Sequence, residues 1–204
     1  LERYGADLVM VRDTPLPVDA DFGPVALDGT VWGEVFVGFE LNETSISGDI
    51  TLEQTAVLLG DTEVLPADDG SATVIDVAVR TGRGVEFYWP SRTIPVFRAF
   101  STIGDSLSLQ GNTATGAFAV AGNVGIRGGE IAYVDQNFLI RRGSLQLNET
   151  ETDFDPRVSV EADIRDIYLG SPVTITLIAT DSPLSELSPR FVSDPQLSEV
   201  EIAG

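Results

Sequence analysis

Thr44, Ile46, Gly48, Ile50 and Leu52 take one parity of the chain, and Ser45, Ser47, Asp49, Thr51 and Glu53 take the other. Side chains alternate sides along a strand, so a period of two predicts a strand with one oily face and one wet face. The run before it has the same code. Val31, Val35, Val37, Phe39 and Leu41 share a parity against Thr30, Glu34 and Glu40, and Asn42-Glu43 separates the two runs. Two such strands across a tight turn predict a hairpin with one apolar side. A chain written this way must cover an apolar sheet face, and what covers it decides what the chain can do.

The pattern extends over most of the sequence. A first strand is predicted over Asp7 to Arg12, after which Pro15, Pro17 and Pro24 make a loop or an edge, because proline lacks the amide donor of a ladder. Ile75, Val77 and Val79, then Val85, Phe87 and Trp89, alternate on either side of Gly82 to Gly84. Pro90 and Pro95 bracket a segment, Ile94 to Phe100, that reads as a crossing loop, an irregular strand or a short amphipathic helix. Leu107 and Leu109, Phe118 and Val120, and Val124 and Ile126 come next as short strands. Gly128-Gly129 reads as a turn. Beyond it a meander is predicted through Ile131 and Tyr133, Phe138 and Ile140, Ser144 to Leu147, and Val158 to Ile164. A last strand runs from Pro172 to Thr180, and a polar, proline-punctuated tail closes the sequence. Twenty glycines and eleven prolines spread along the chain, with no sustained helical period, argue for an all-β protein. Glycine-led hairpins every ten to fifteen residues or so suggest a sheet extended by similar units, although a sandwich or barrel would leave nearly the same local pattern.

Composition removes several classes of function. With no cysteine and no histidine there is no disulfide framework, no thiolate or imidazole zinc site, and no Ser-His-Asp or Cys-His nucleophile. A formal charge of −20 opposes nucleic acid and anionic membrane surfaces. No apolar run approaches the roughly 18 residues of a membrane-spanning helix. The opening residues, LERYGADLVM, read as the middle of something longer.

The remaining motifs favour plain readings. Asp49 with Glu53, or Glu161 with Asp163, have the separation of a glycosidase pair, but each pair lies on the solvated side of an amphipathic strand. Asp68-Asp69-Gly70 lacks the spacing of a calcium loop and reads as a polar turn. Gly125 to Gly129 resembles a phosphate loop without its Gly-Lys-Ser/Thr, and a hairpin turn explains it. Asn42-Glu43-Thr44 and Asn148-Glu149-Thr150 match the glycosylation acceptor pattern at strand ends. Arg141-Arg142, with Arg127 and Arg165 nearby, is the one basic concentration, and cross-strand pairing with carboxylates is its expected role ahead of contact with lipid phosphates. No metal or cofactor is expected, and no enzymatic activity.

From Gly122 to Pro195 the order of features resembles the C-terminal domain of the TamB family. The strand Gly129-Glu130-Ile131, then Phe138-Leu139-Ile140 with Gly143, Ser144 and Leu145, carry the resemblance. So do Asp155-Pro156 with the strand Val158 to Ala162, and Ser193-Asp194-Pro195 with Leu197-Ser198. It implies an elongated, curled antiparallel or mixed β-sheet forming a taco-like trough with an apolar inner face, similar to bridge-like lipid-transfer proteins. It also implies a periplasmic location within a protein anchored in the inner membrane, phospholipid acyl chains as cargo, and a BamA- or TamA-like outer-membrane barrel as partner. The family's anchor and its last strands, which meet that barrel, would lie outside these residues.

On that resemblance the whole chain, 1–204, reads as one β-groove of roughly a dozen strands, on the order of 60 Å long at about 4.8 Å per strand. Its expected lining is Val35, Val37, Phe39, Ile46, Ile50, Leu52, Ile75, Val77, Leu107, Leu109, Ile131, Tyr133, Phe138, Ile140, Val158 and Val160. Charging Ile50 and Val77 together is expected to block transport without unfolding the sheet. Two other functions fit the same strands: a groove that chaperones outer-membrane β-barrel proteins, and a closed β-sandwich adhesin or carbohydrate binder with a dry core.

Overall fold

The structure is a computed structural model of the chain, and it describes residues 4–22, 24–60, 72–150, 154–168 and 170–196. These form thirteen strands and no helix, all in one sheet. In order they are β1 (Tyr4–Met10), β2 (Leu16–Asp21), β3 (Val25–Glu40), β4 (Glu43–Leu59), β5 (Ala72–Thr81), β6 (Glu86–Trp89) and β7 (Phe97–Ser101). Then come β8 (Ser106–Asn112), β9 (Ala117–Tyr133), β10 (Gln136–Thr150), β11 (Arg157–Tyr168), β12 (Ser171–Pro183) and β13 (Arg190–Asp194). The sheet is mixed: β5 and β6 run parallel to β4, and the other pairs are antiparallel.

The register shows ten strand tracks. β1 and β2 lie end to end along β3, β5 and β6 lie end to end along β4, and β7 and β8 do the same along β9. The expected hairpin between Val31 and Glu53 is present, with Val37 opposite Ile46 and Gly33 opposite Ile50. The proline-rich stretch after Asp13 is an edge strand, and Ile94 to Phe100 enters β7.

Several predicted turns are absent. Gly128-Gly129 lies inside β9, so Ala117 to Tyr133 is one strand of 17 residues and not three. The break between the runs ending at Ile140 and starting at Ser144 is likewise interior to β10, and the tail contributes β13, which the proline pattern had concealed. The Asp68-Asp69-Gly70 turn, and Leu197-Ser198, lie outside the described residues.

What the sequence presents as turns is a line of interruptions crossing the sheet at one level. It passes through the loop 11–15 between β1 and β2, and through a bulge in β4 where Gln54 and Thr55 oppose Gly29. It continues through the gaps 82–85 and 102–105, and through bulges at Arg127 in β9, Arg141 in β10 and Thr180-Asp181 in β12. A bulge adds one residue to one strand, which bends the strand and flips the parity of its remaining residues. In β4 the inward residues are Ile46, Ile50 and Leu52 before the bulge, and Val57 and Leu59 after it.

Four of the buried polar side chains, Thr55, Thr81, Ser101 and Ser182, sit on this line, where they replace missing ladder bonds. The Thr55 hydroxyl accepts from Thr30 N at 3.3 Å and donates toward the carbonyls of Thr30 and Glu53 at 3.1 and 3.0 Å. Asp105 closes the next gap, accepting from Gly125 N at 2.8 Å while its own amide donates to Thr81 Oγ1 at 3.0 Å. A Cβ on Gly29 would fall 2.4 Å from Thr55 Cα, so only glycine fits opposite the bulge. Thr55→Val keeps the shape and strands the part-buried amide and carbonyl of Thr30. It is expected to cost about 1–3 kcal/mol, read as a lower urea midpoint at unchanged slope.

The line acts as a crease. Val25, Leu59 and Phe87 from one side of it and Leu109, Val120 and Leu147 from the other line the same small cavity. The sheet therefore folds over on itself with its apolar face inside, and the expected curled trough is the fold observed.

Candidate functional site

The inner wall is built by cross-strand rows. Tyr4 and Phe39 form one, Ala6, Val37, Ile46 and Ile75 the next, and Leu8, Val35, Gly48, Val77 and Leu109 a third; a fourth is Met10, Gly33, Ile50, Val79 and Leu107. The last three rows are apolar or glycine from one strand to the next, because the register pairs like parity with like, and the first gives way to Thr44 and Thr73 on β4 and β5. Ten of the sixteen expected lining residues, from Val35 to Leu109, thus form one contiguous surface. Ile131, Tyr133, Phe138 and Ile140 form a second on β9 and β10, with Phe138 opposite Ile131. Val158 and Val160 lie beyond the crease, opposite Leu145 and Gly143.

Burial divides this wall into a closed part and an open part. Leu52, Val77, Leu107, Leu109, Ile131, Phe138, Ile140, Val158 and Val160 are buried, Ile131 and Val158 completely. Of these, Leu52, Leu107 and Leu109 line a cavity of about 30 Å³, bounded by apolar side chains alone and far too small for an acyl chain. Val35, Val37, Ile46, Ile50, Ile75 and Tyr133 are half-buried. Phe39 is 48% exposed, and Tyr4, two rows from Leu8 on the edge strand β1, is 65% exposed. The mouth of the groove is therefore the β1–β3–β4–β5 end, where an oily wall faces solvent. Charging Val77 would put a carboxylate into a site 5% exposed and threaten the fold, so Ile46 and Ile75, direct cross-strand neighbours at the mouth, are the better pair.

The wall also includes residues outside the expected set. Val57 and Leu59 face inward only because the β4 bulge resets parity, opposite Val25 and Leu27, which continue the odd parity of β3, and Leu145 and Leu147 face inward beyond the crease in β10. Phe191 on β13 reaches the second surface: its ring centroid lies 5.6 Å from Tyr133 and 5.9 Å from Phe138.

The outer face is polar and paired. Arg142 holds Glu161 at 2.5 Å, Arg141 pairs with Asp163, and Arg80 lies 3.5 Å from Asp49. The basic concentration therefore meets carboxylates across strands, as expected, and it does so at the crease. The same pairs engage Asp49, Glu161 and Asp163, the acids of the candidate glycosidase pairs. Asp163 is a buried carboxylate that also accepts from Thr176 Oγ1 at 2.8 Å. Arg98 bonds Glu86 at 2.9 Å and stacks between Tyr88 and Phe100 at 5.7 and 5.0 Å. Burial and the bond to Glu86 raise the Tyr88 pKa. Arg157, with Nε 2.6 Å from Asp181, holds that carboxyl below the usual range at the β12 bulge. A polar recess of 630 Å³ lies on this side of the sheet, with Arg12 and Glu53 3.4 Å apart in its wall. Its charged lining is unsuited to an acyl chain.

Gly125 to Gly129 is strand, not loop, and offers no cradle for phosphate. Asn42 lies in the β3–β4 turn, and Glu149, beside Asn148, is buried, its carboxylate accepting from the amides of Asn148 and Asp155 at 3.1 and 2.6 Å.

A model of the TamB C-terminal domain family matches residues 61–204. That is well over half of the chain, and it reaches further toward the N-terminus than the residues that carry the resemblance in the sequence. No curated protein matches.

Proposed function

Because the chain belongs to the TamB C-terminal domain family, we propose that its groove shields phospholipid acyl chains on their way between the two membranes of the envelope. Family membership supports a TamB-like role in outer-membrane biogenesis and transport, and an envelope setting. The finer reading rests on one observation, the apolar inner wall that is buried over much of its extent and exposed at its β1–β5 end.

The chemistry asked of the wall is passive. Each methylene removed from water is worth about 0.8 kcal/mol, so a continuous oily track offsets most of the cost of carrying an acyl chain through an aqueous compartment. Head groups stay outside the wall, where the polar face and the −20 charge keep the protein in solution. A barrel partner in the outer membrane, and an anchor in the inner one, belong to this proposal.

The test is lipid analysis after native, detergent-free purification from a two-membrane bacterium. Phospholipid is expected by mass spectrometry, released on unfolding. A lipid-free protein that instead cross-links to nascent outer-membrane barrel chains would overturn the proposal in favour of a chaperone groove.

A further inference from the structure

We propose that β13 is a displaceable latch whose Phe191 ring occupies, over Tyr133 and Phe138, the place of an acyl chain. The inference rests on the acyl-binding reading of the inner wall.

β9 and β13 are four strand spacings apart in the sheet, about 19 Å if it were flat. The Tyr133 and Phe191 rings are 5.6 Å apart, so the curl carries the last strand back onto the wall. β13 is five residues long, and among the described residues it pairs with β12 alone, from Thr174 to Ile178. Phe191 is half-buried, while its neighbours Arg190 and Val192 are exposed. The ring is therefore the main apolar group that β13 contributes to the groove.

The segment leading to β13 is tied down at its start. Leu184 N donates to Pro156 O at 2.9 Å, Ser185 Oγ donates to Asp155 Oδ2 at 2.6 Å, and Ser188 N donates to Ser182 Oγ at 3.1 Å. Beyond these bonds, a five-residue ladder to β12 and the Phe191 ring join the strand to the rest of the described residues. Elements with few buried contacts open locally, well below the free energy of global unfolding. Lifting β13 would uncover Tyr133 and the buried Phe138 without disturbing the crease. A site that its own chain fills binds a ligand more weakly, in proportion to the fraction of molecules that are open.

Amide exchange of the 204-residue chain tests the motion without any ligand. The β13 amides are expected to exchange independently of β9, β10 and β11, and exchange in concert with those strands would overturn the latch. Binding tests its role, with an 18-carbon polyene fatty acid as probe, whose fluorescence rises in apolar surroundings. Phe191→Ala is expected to raise its affinity roughly five- to tenfold, the scale of two lost ring contacts. Because that variant could loosen the fold, an Ile178→Cys/Arg190→Cys pair, at facing positions of β12 and β13 in a chain with no other cysteine, gives a second test. Oxidising the pair is expected to slow uptake severalfold, and reducing it to restore uptake. If wild type takes up probe, equal uptake by Phe191→Ala, or by the oxidised and reduced pair, overturns the latch alone. If neither wild type nor Phe191→Ala takes up probe, the acyl reading itself falls, and the latch's role falls with it.

Discussion

An Ile46→Asp/Ile75→Asp variant is expected to lose acyl binding by tenfold or more while keeping a cooperative fold. The two residues are direct cross-strand neighbours on β4 and β5, both half-buried, with Val37 on the far side of Ile46. Two carboxylates there oppose each other and must be desolvated by any chain lying across them, which costs at least a few kcal/mol. With solvent within reach of both positions, the penalty on folding stays near 1–2 kcal/mol, or about 2–8 °C in Tm for a chain of this size. Val77→Asp is the contrasting control. At 5% exposure the charge has no water and no partner, and a loss of about 3–5 kcal/mol is expected. Undiminished fatty-acid binding by the folded double variant would show that the mouth is not where acyl chains enter, and the groove reading would fail.

The contrast between those positions marks what the sequence could and could not convey. Period two identified the inward face of β3, β4, β5 and β8 residue by residue, since nothing interrupts parity between Val31 and Phe39 or between Ile46 and Leu52. The depth of each position was hidden. Ile50 and Val77 look alike in the alternation, yet one is half-buried and the other 5% exposed, because depth depends on which distant strands fold over. The crease itself was written as Gly, Thr and Arg breaks, and these have two physical meanings. A turn reverses the chain, whereas a bulge keeps its direction and shifts its face. Arg127 and Arg141 are single inserted residues of the second kind. Sequence alone could have suggested it: apolar parity runs even over Phe118 to Ile126 and odd over Ile131 to Tyr133, with no polar gap long enough for a reversal. Phe191 was missed for another reason, since one aromatic residue among prolines and acids carries no period at all.

Gly129→Ala should expose the bulged geometry most directly, at a cost on the order of 3 kcal/mol or more. Gly129 adopts φ +136°, which side-chain-bearing residues rarely enter, and its added Cβ would lie 2.1 Å from the Arg98 carbonyl oxygen and 2.8 Å from Ala99 Cα. Both are backbone atoms of β7 paired to β9, so relief requires prying the two strands apart. Strain of about 1–3 kcal/mol then adds to an overpacking cost of similar size. Gly104→Ala separates the two contributions. Gly104 also has positive φ, +96°, but an added Cβ there meets nothing within 4 Å, so only the backbone strain remains. The Gly129 variant should melt at least several degrees below the Gly104 variant, at about 2–4 °C per kcal/mol. Equal melting temperatures would mean that β7 yields freely at this point. The sheet would then lack the fixed crease that presses Phe97 and Ala99 against the inner wall, and the closed part of the groove would have no fixed seam to keep it shut.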